Sequence, residues 1–309
     1  MANCYDVNNM YERAIKLAKS VDLNTLDADE AAKYLNAVAF GAKDFAKDFK
    51  DLLKEGISDA VTDKGLKCAK EEDLENFLAA NAVYMQASLS KEESYTDMAC
   101  SIAKALENVK RSDKGYFLNS NGDECLCVTF KAFSFYMNYE TKNGGKEHYN
   151  DIIAQYKAIY ADLLGDTVLD LKNGNENKLK PLVYFAAALV DTLEVMDQAL
   201  YEIWAKLREF YKETIKAILN SARYTLGKNK EYDLIFIYAV FKACRMNILN
   251  TEKYECEAAS LFELINDDYE DLYDAEANVK SAYILAATEC IKNREYQDYG
   301  RLKGGVLWS

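Results

Sequence analysis

Residues Tyr238 to Tyr254 read YAVFKACRMNILNTEKY, a stretch that holds one helix end, a short turn and the start of a returning helix. Asn250 is a good N-cap, Thr251 and Glu252 open the next turn, and Tyr254 with Ala258 begins the buried face of the helix that returns. The corner recurs along the chain. Glu93-Ser-Tyr95 follows one turn, Glu147-His-Tyr149 the next, Glu202-Ile-Trp204 a third and Glu252-Lys-Tyr254 a fourth. Weaker copies stand at Lys43-Asp-Phe45 and Arg294-Glu-Tyr296, so the aromatic recurs about every 50 residues. With 23 Tyr and 13 Phe some coincidence is expected, but the acidic residue shared by the four stronger copies and the matching turns argue for repeated helical hairpins.

Apolar periodicity outside the corner agrees. Helices are predicted over about 7–20, 28–54 with an interruption near Gly41, 72–89, 92–110, 124–141, 146–164, 181–198, 200–226, 232–249, 251–266 and 275–293. Residues 56–70 read as turn-like, and no segment shows the two-residue alternation of a strand. Pro181 is the only proline, so few helix breakers interrupt the pattern. The last hairpin lacks its second half, and the first helix, with Tyr11, Ile15 and Ala18 in the returning-helix pattern, can supply it. The expected architecture is therefore all-α: a six-hairpin (α/α)6 toroid spanning 1–309 as a single domain, closed by its N-terminal helix. The tightest hairpin is the one around Gly41, where about 26 residues must form two helices.

Composition limits the function. The net charge of -13 argues against a nucleic-acid or anionic-membrane surface, because both require basic patches. The longest apolar run, PLVYFAAALV from Pro181, is too short to span a bilayer. The opening MANCYDVNNM has no basic region followed by an apolar core, so no secretory leader is expected. The eight cysteines include no CxxC pair and are expected as free thiols in a cytoplasmic protein. His148 is the only histidine, which excludes a Ser-His-Asp triad elsewhere in the chain and a multi-histidine metal site. Neither GxGxxG nor GxxxxGK[ST] occurs, so no nucleotide cradle, metal or other cofactor is expected.

The corner resembles the fifth-hairpin segment of the unsaturated uronyl hydrolases, glycoside hydrolase families 88 and 105. Tyr238, Ala239, Lys242, Arg245, Leu249 and Tyr254 fit that family's pattern, while Ala243 and Asn247 replace its glycines. Ala282-Tyr-Ile-Leu-Ala-Ala-Thr-Glu289 is similar to the family's last inner helix, and Ala188-Leu-Val-Asp-Thr-Leu-Glu194 to the start of its fourth hairpin. The likeness runs loosely over residues 71–290 and implies the toroidal fold. It also implies a catalytic Asp three residues before a Phe-Met pair, and here that position falls on Cys127, with Phe130 followed by Lys131. A thiol of ordinary acidity is a poor proton donor to a vinyl-ether double bond. The family's Arg-Gly-Asn-Gly-Trp substrate motif falls near Lys178-Leu-Lys-Pro-Leu182, without its glycines or its Trp.

Other carboxylates are candidates for the lost role. In a helical toroid the N-terminal ends of the inner helices are expected to line the pocket, where their dipoles converge. Asp123 and Glu124, Glu231 and Asp233, and Asp274 and Glu276 stand at such predicted starts. Asp123 and Asp233 are the candidate catalytic residues; Glu124, Lys131, Lys178, Lys180 and Glu276 are the candidate binding residues. Capping alone also favours acidic residues in first turns. Three readings follow: a catalytically degenerate glycoside-hydrolase-like toroid that binds an oligosaccharide or a protein; an active hydrolase on unsaturated uronyl oligosaccharides with relocated carboxylates; and an unrelated acidic all-α protein that binds another protein.

Overall fold

The computed structural model describes residues 7–44, 47–120, 127–165, 179–197 and 199–302, and in them the periodicity resolves into twelve α-helices. They are α1 (Val7–Lys19), α2 (Ala28–Asp44), α3 (Lys47–Ala60), α4 (Glu75–Ser90), α5 (Glu93–Ala103) and α6 (Val128–Lys142). The second half comprises α7 (Tyr149–Gly165), α8 (Leu179–Val195), α9 (Tyr201–Thr225), α10 (Lys230–Arg245), α11 (Thr251–Asp267) and α12 (Ala277–Leu302).

Burial sorts the helices into two layers. In α8 every residue from Leu182 to Leu193 is buried, and in α10 every residue from Asp233 to Cys244. In α11 only Ala258, Phe262 and Ile265 are, the single stripe of an amphipathic surface helix. The even-numbered helices α2, α4, α6, α8, α10 and α12 pack side by side in that order, and α12 returns against α2. Each inner helix carries an outer one: α3 on α2, α5 on α4, α7 on α6, α9 on α8, α11 on α10, and α1 on α12. The result is an (α/α)6 ring whose last hairpin joins the two ends of the chain.

Closure is chemically specific. Arg13 Nη1 donates to the Asn266 carbonyl (2.8 Å) and to Asn266 Oδ1 (2.9 Å), and the Tyr269 hydroxyl donates to the Arg13 carbonyl (2.9 Å). The Arg13 guanidinium also lies 4.5 Å from the centre of the Tyr269 ring. Met10, Ala14, Leu17 and Ala18 of α1 are buried, so apolar packing and polar contacts act together at the seam.

Four corner aromatics stand in the first turns of outer helices: Tyr95 in α5, Tyr149 in α7, Trp204 in α9 and Tyr254 in α11. The copy at Arg294-Glu-Tyr296 instead lies inside α12 and opens no helix. Helix α2 also runs without interruption through Gly41. A Cβ there would sit 2.7 Å from the Phe49 ring, so Gly41 serves close packing of α3 on α2 and does not break the helix. Residues 61–66, read as a turn, form a two-stranded antiparallel hairpin of Val61–Thr62 and Gly65–Leu66.

The turn from α10 to α11 is built as the corner motif suggests. Asn247 has φ of 56°, the left-handed conformation that ends many helices, and the Ile248 and Leu249 amides donate back to the Ala243 carbonyl. Asn250 Oδ1 accepts from the Lys253 amide (3.0 Å), capping α11. Asparagine tolerates this backbone better than residues with bulkier Cβ substituents. Asn247→Gly is expected to change stability by no more than about 0.5 kcal/mol, whereas Asn247→Val should cost about 1–2 kcal/mol; urea denaturation of the two variants checks this.

Candidate functional site

The ring has two ends, and the sequence places different chemistry at each. At the N-terminal end, first turns carry Asp29 in α2, Glu75 in α4 and Glu231 in α10, where the helix dipoles favour negative charge. Two lysines meet them. Lys33, one turn after Asp29, reaches Asp29 Oδ2 (2.8 Å) and Glu231 Oε1 (3.1 Å). Lys131 of α6 reaches Asp29 Oδ1 (3.0 Å) and Glu75. The Tyr184 hydroxyl of α8 donates to Glu231, and the Lys33 ammonium lies 5.1 Å from the centre of that tyrosine ring. Side chains from five of the six inner helices thus interlock at this end.

The electrostatics follow. Burial pushes the Asp29 carboxyl up, but Lys33 and Lys131 outweigh it and hold the group at about 2. Burial and then the neighbouring Glu231 keep the Tyr184 hydroxyl well above the usual phenol range. Asp29 is therefore a fixed anion at neutral pH, unsuited to donate a proton.

The candidate residues fall in different places. Lys131 belongs to this network, bound to two carboxylates that the sequence reading had not singled out. Cys127 is 8% exposed at the residue preceding α6. Asp233 is buried and turns away from Glu231, its carboxylate accepting from the Gly227 amide at 3.1 Å to each oxygen. Two residues on a helix are about 200° apart, so Glu231 and Asp233 cannot face one space. Lys180 is half-buried at the start of α8, and Glu276 is exposed just before α12. Asp123, Glu124 and Lys178 lie outside the described residues.

The C-terminal end is organised by the three segments that carry the family likeness. Lys242 of α10, fully buried, donates to Asp191 Oδ1 of α8 (2.7 Å) and lies 2.9 Å from Glu194 Oε2. The Tyr238 hydroxyl, one turn before Lys242, donates to the same Asp191 oxygen (2.5 Å). Arg245 continues the chain of charges, with Nη2 to Glu194 Oε1 (3.0 Å) and Nε to Glu289 Oε2 of α12 (2.8 Å). Tyr238, Lys242 and Arg245 share one helix face, and their partners lie 44 to 51 residues away in the chain. Burial pushes the Lys242 ammonium down, yet Asp191, Glu194 and Glu289 overcome it and raise the group. Asp191 is raised by burial against the pull of Lys242.

Above this floor opens a cavity of about 470 Å³. Its walls come from the C-terminal halves of α2, α4, α6 and α8, with Lys242 at its base. The expectation that the pocket would lie at the N-terminal ends of the inner helices therefore does not hold for this cavity. Long paired side chains occupy the axis at that end, whereas Ala39, Asn81 and Ser134 leave space at the other. Phe40 and Tyr84 supply aromatic surface, and Asn36, Asn138 and Lys142 polar groups. The sequence signal for this site is faint, since its residues are scattered over five helices.

No family model matches the chain, and no curated protein matches it. Solved structures do. A family 105 glycoside hydrolase from C. acetobutylicum superposes with a TM-score of 0.72 at 16% identity, covering 94% of this chain and 99% of that one. A polysaccharide lyase gives 0.71 at 10% identity over 94% and 98%, and a family 88 glycosyl hydrolase from Bacteroides vulgatus 0.70 at 9% over 93% and 98%. The chain thus has the helical-toroid fold of the family 88 and 105 enzymes, as the corner motif implied. Ring closure favours that reading over an open, unrelated helical repeat.

Asp233 yields a pH test. Burial lifts its carboxyl from an ordinary 3.8 to about 6, against the Gly227 hydrogen bond. A folded-state value above the unfolded one gives stability that is complete below about 3.8 and lost as pH rises through about 6. Asp233→Asn, whose Oδ1 still accepts from Gly227, should be more stable than wild type at pH 8 by about 3 kcal/mol. The gap should shrink steadily toward pH 5, measured by urea denaturation; a gap independent of pH would contradict this assignment.

Proposed function

We propose that this chain is a glycoside-hydrolase-like toroid that binds its ligand without cleaving it. The carrying observation is the locked N-terminal network. Glycosidic hydrolysis needs one carboxyl that keeps its proton near neutral pH and a second carboxylate about 5–9 Å away. At the N-terminal end of the ring, Asp29 is held ionised by two lysines, and Glu75 and Glu231 each carry a lysine partner. Asp233 holds its proton to higher pH, as a general acid must, but its oxygens are engaged with the Gly227 backbone. Cys127, at the position where the likeness implies the acid, offers a thiol in place of a carboxyl.

The ligand class favoured by this reading is a saccharide or sugar-derived molecule, because the open cavity combines aromatic faces with amides and hydroxyls. A protein partner on the acidic outer surface is the second reading. No helix among the described residues is long and apolar enough to cross a membrane, and Cys68, Cys100, Cys127, Cys244, Cys256 and Cys290 are free thiols. Free thiols are at home in a reducing compartment, so the cytoplasm is the proposed location.

Among the candidate catalytic residues that the structure describes, the raised carboxyl of Asp233 is the feature that speaks for surviving hydrolysis. The test is turnover of a panel of unsaturated uronyl disaccharides, followed by loss of absorbance of the conjugated double bond, with wild type, Asp123→Asn and Asp233→Asn run side by side. The proposal predicts no turnover by any of them above the uncatalysed rate. Wild-type turnover that disappears in either variant would make the protein a hydrolase with relocated carboxylates.

A further inference from the structure

The outer helices α9 and α11 are neighbours on the rim of the ring, and the flanks they turn toward each other carry unusual surface chemistry. On α9, Phe210 stacks on Tyr160 of α7 and the Tyr211 hydroxyl donates to the Ala239 carbonyl of α10. Helical geometry then puts Trp204, Arg208 and Lys212 on the flank toward α11. On α11, Glu255 accepts from Asn293 of α12 and Asn266 from Arg13 of α1, so Glu257, Leu261 and Leu264 fall on the flank toward α9. Among the described residues two large apolar side chains stand mostly in solvent, Tyr201 at 67% and Leu264 at 64%, and both belong to this face. The Tyr201 ring stacks on Trp204 at 6.4 Å, and the Arg208 guanidinium lies 5.4 Å from the centre of the Trp204 ring. Tyr, Trp and Arg together are the residue types most enriched where proteins meet.

The charges on the two helices are opposite. Arg208, Lys212 and Lys216 recur at four-residue spacing along α9, and among the described residues none of them forms an ion pair. Burial and then the like charges of Arg208 and Lys216 push the Lys212 ammonium below its ordinary value. Helix α11 and its C-cap instead expose Glu257, Glu263, Asp267 and Asp268 against a single lysine, Lys253. The corner repeats after 50 residues from Trp204 to Tyr254, so each residue of α9 stands level with the one 50 positions later in α11. Arg208 is therefore level with Glu257, and Lys216 with Asp267, each to within one residue. Leu264 is level with the stretch between Lys212 and Lys216.

We propose that this face is a homodimer interface, in which α9 of each copy lies on α11 of a second copy of the chain. A two-fold axis parallel to the two helices and between them produces this arrangement, with the paired helices at the same height and running in the same direction. It sets Arg208 beside Glu257 of the partner subunit and Lys216 beside Asp267 of the partner subunit. Leu264 meets the aliphatic stems of the partner's Lys212 and the partner's Lys216. A basic partner would leave the cations of α9 unmatched, and an acidic partner the carboxylates of α11, whereas a second copy matches both at once. Two copies of net charge -13 repel each other elsewhere, and this face sets cations on carboxylates where they meet. Such an isologous contact closes at two subunits. It lies on the rim of the ring and leaves both mouths open, so it stands apart from what the toroid binds or cleaves.

Sedimentation equilibrium of the full chain tests the interface. A species of twice the chain mass is expected at about 100 µM protein in low salt, with weaker association at about 0.5 M salt. Leu264→Asp and Lys216→Glu replace exposed side chains and should fold as wild type does. Each should raise the dimer dissociation constant about tenfold or more. Lys50→Glu, the same charge change at an exposed position of α3, should leave that constant within about twofold. A chain that stays monomeric at about 100 µM would overturn the proposal. So would a dimer undiminished by Leu264→Asp or by Lys216→Glu, or one weakened as much by Lys50→Glu, which would trace the effect to net charge alone.

Discussion

A buried lysine among carboxylates holds the C-terminal end of this ring together. Lys242 is taken wholly out of water, and that is tolerable only because Asp191, Glu194 and the Tyr238 hydroxyl surround it. The Phe40 ring, 4.4 Å from the ammonium, closes the remaining side from α2. Through Arg245 the network reaches Glu289, and Lys43 of α2 pairs with Glu194 at 3.7 Å, so α2, α8, α10 and α12 are joined by one set of charges. These helices are not neighbours in sequence, and apolar packing alone would fix their spacing more than their rotation. A charged network with directional partners fixes both, and it floors the cavity.

The two ends of the ring answer the same geometric problem in opposite ways. Six parallel inner helices leave an axial space at each mouth. At the N-terminal mouth, long side chains bridge that space and neutralise each other. At the C-terminal mouth, small and amide side chains leave the space open above a floor of satisfied charge. Solved relatives below 25% identity show the fold and say nothing about which mouth this chain uses. The chemistry of the walls has to decide that.

Much of the fold was legible because it is written in local periodicity. The returning helices carry Tyr95, Tyr149, Trp204 and Tyr254 in their first turns, as the corner spacing implies, and α1 completes the sixth hairpin against α12. Gly41 was misread because a glycine in a helix can mean a break or a close approach, and only the position of Phe49 distinguishes them. The likeness motifs were legible as scaffold, but their reason was not: Lys242 and Arg245 find Asp191, Glu194 and Glu289 across the ring. The cavity was invisible for the same reason, since Asn36, Tyr84 and Lys142 come from three separate hairpins. Asp233 shows the limit of counting from a helix start, because a shift of two positions separates an axial carboxylate from one that caps a turn.

The most direct test of this account is a double-mutant cycle on the buried pair, with stability measured by urea denaturation for Lys242→Met, Asp191→Leu and the combination. Removing one charge leaves the other buried without its partner. The account therefore predicts that each single variant loses about 3–5 kcal/mol, while the combination loses far less than their sum. Additive losses, or a Lys242→Met variant within about 0.5 kcal/mol of wild type, would show that the ring does not depend on this network.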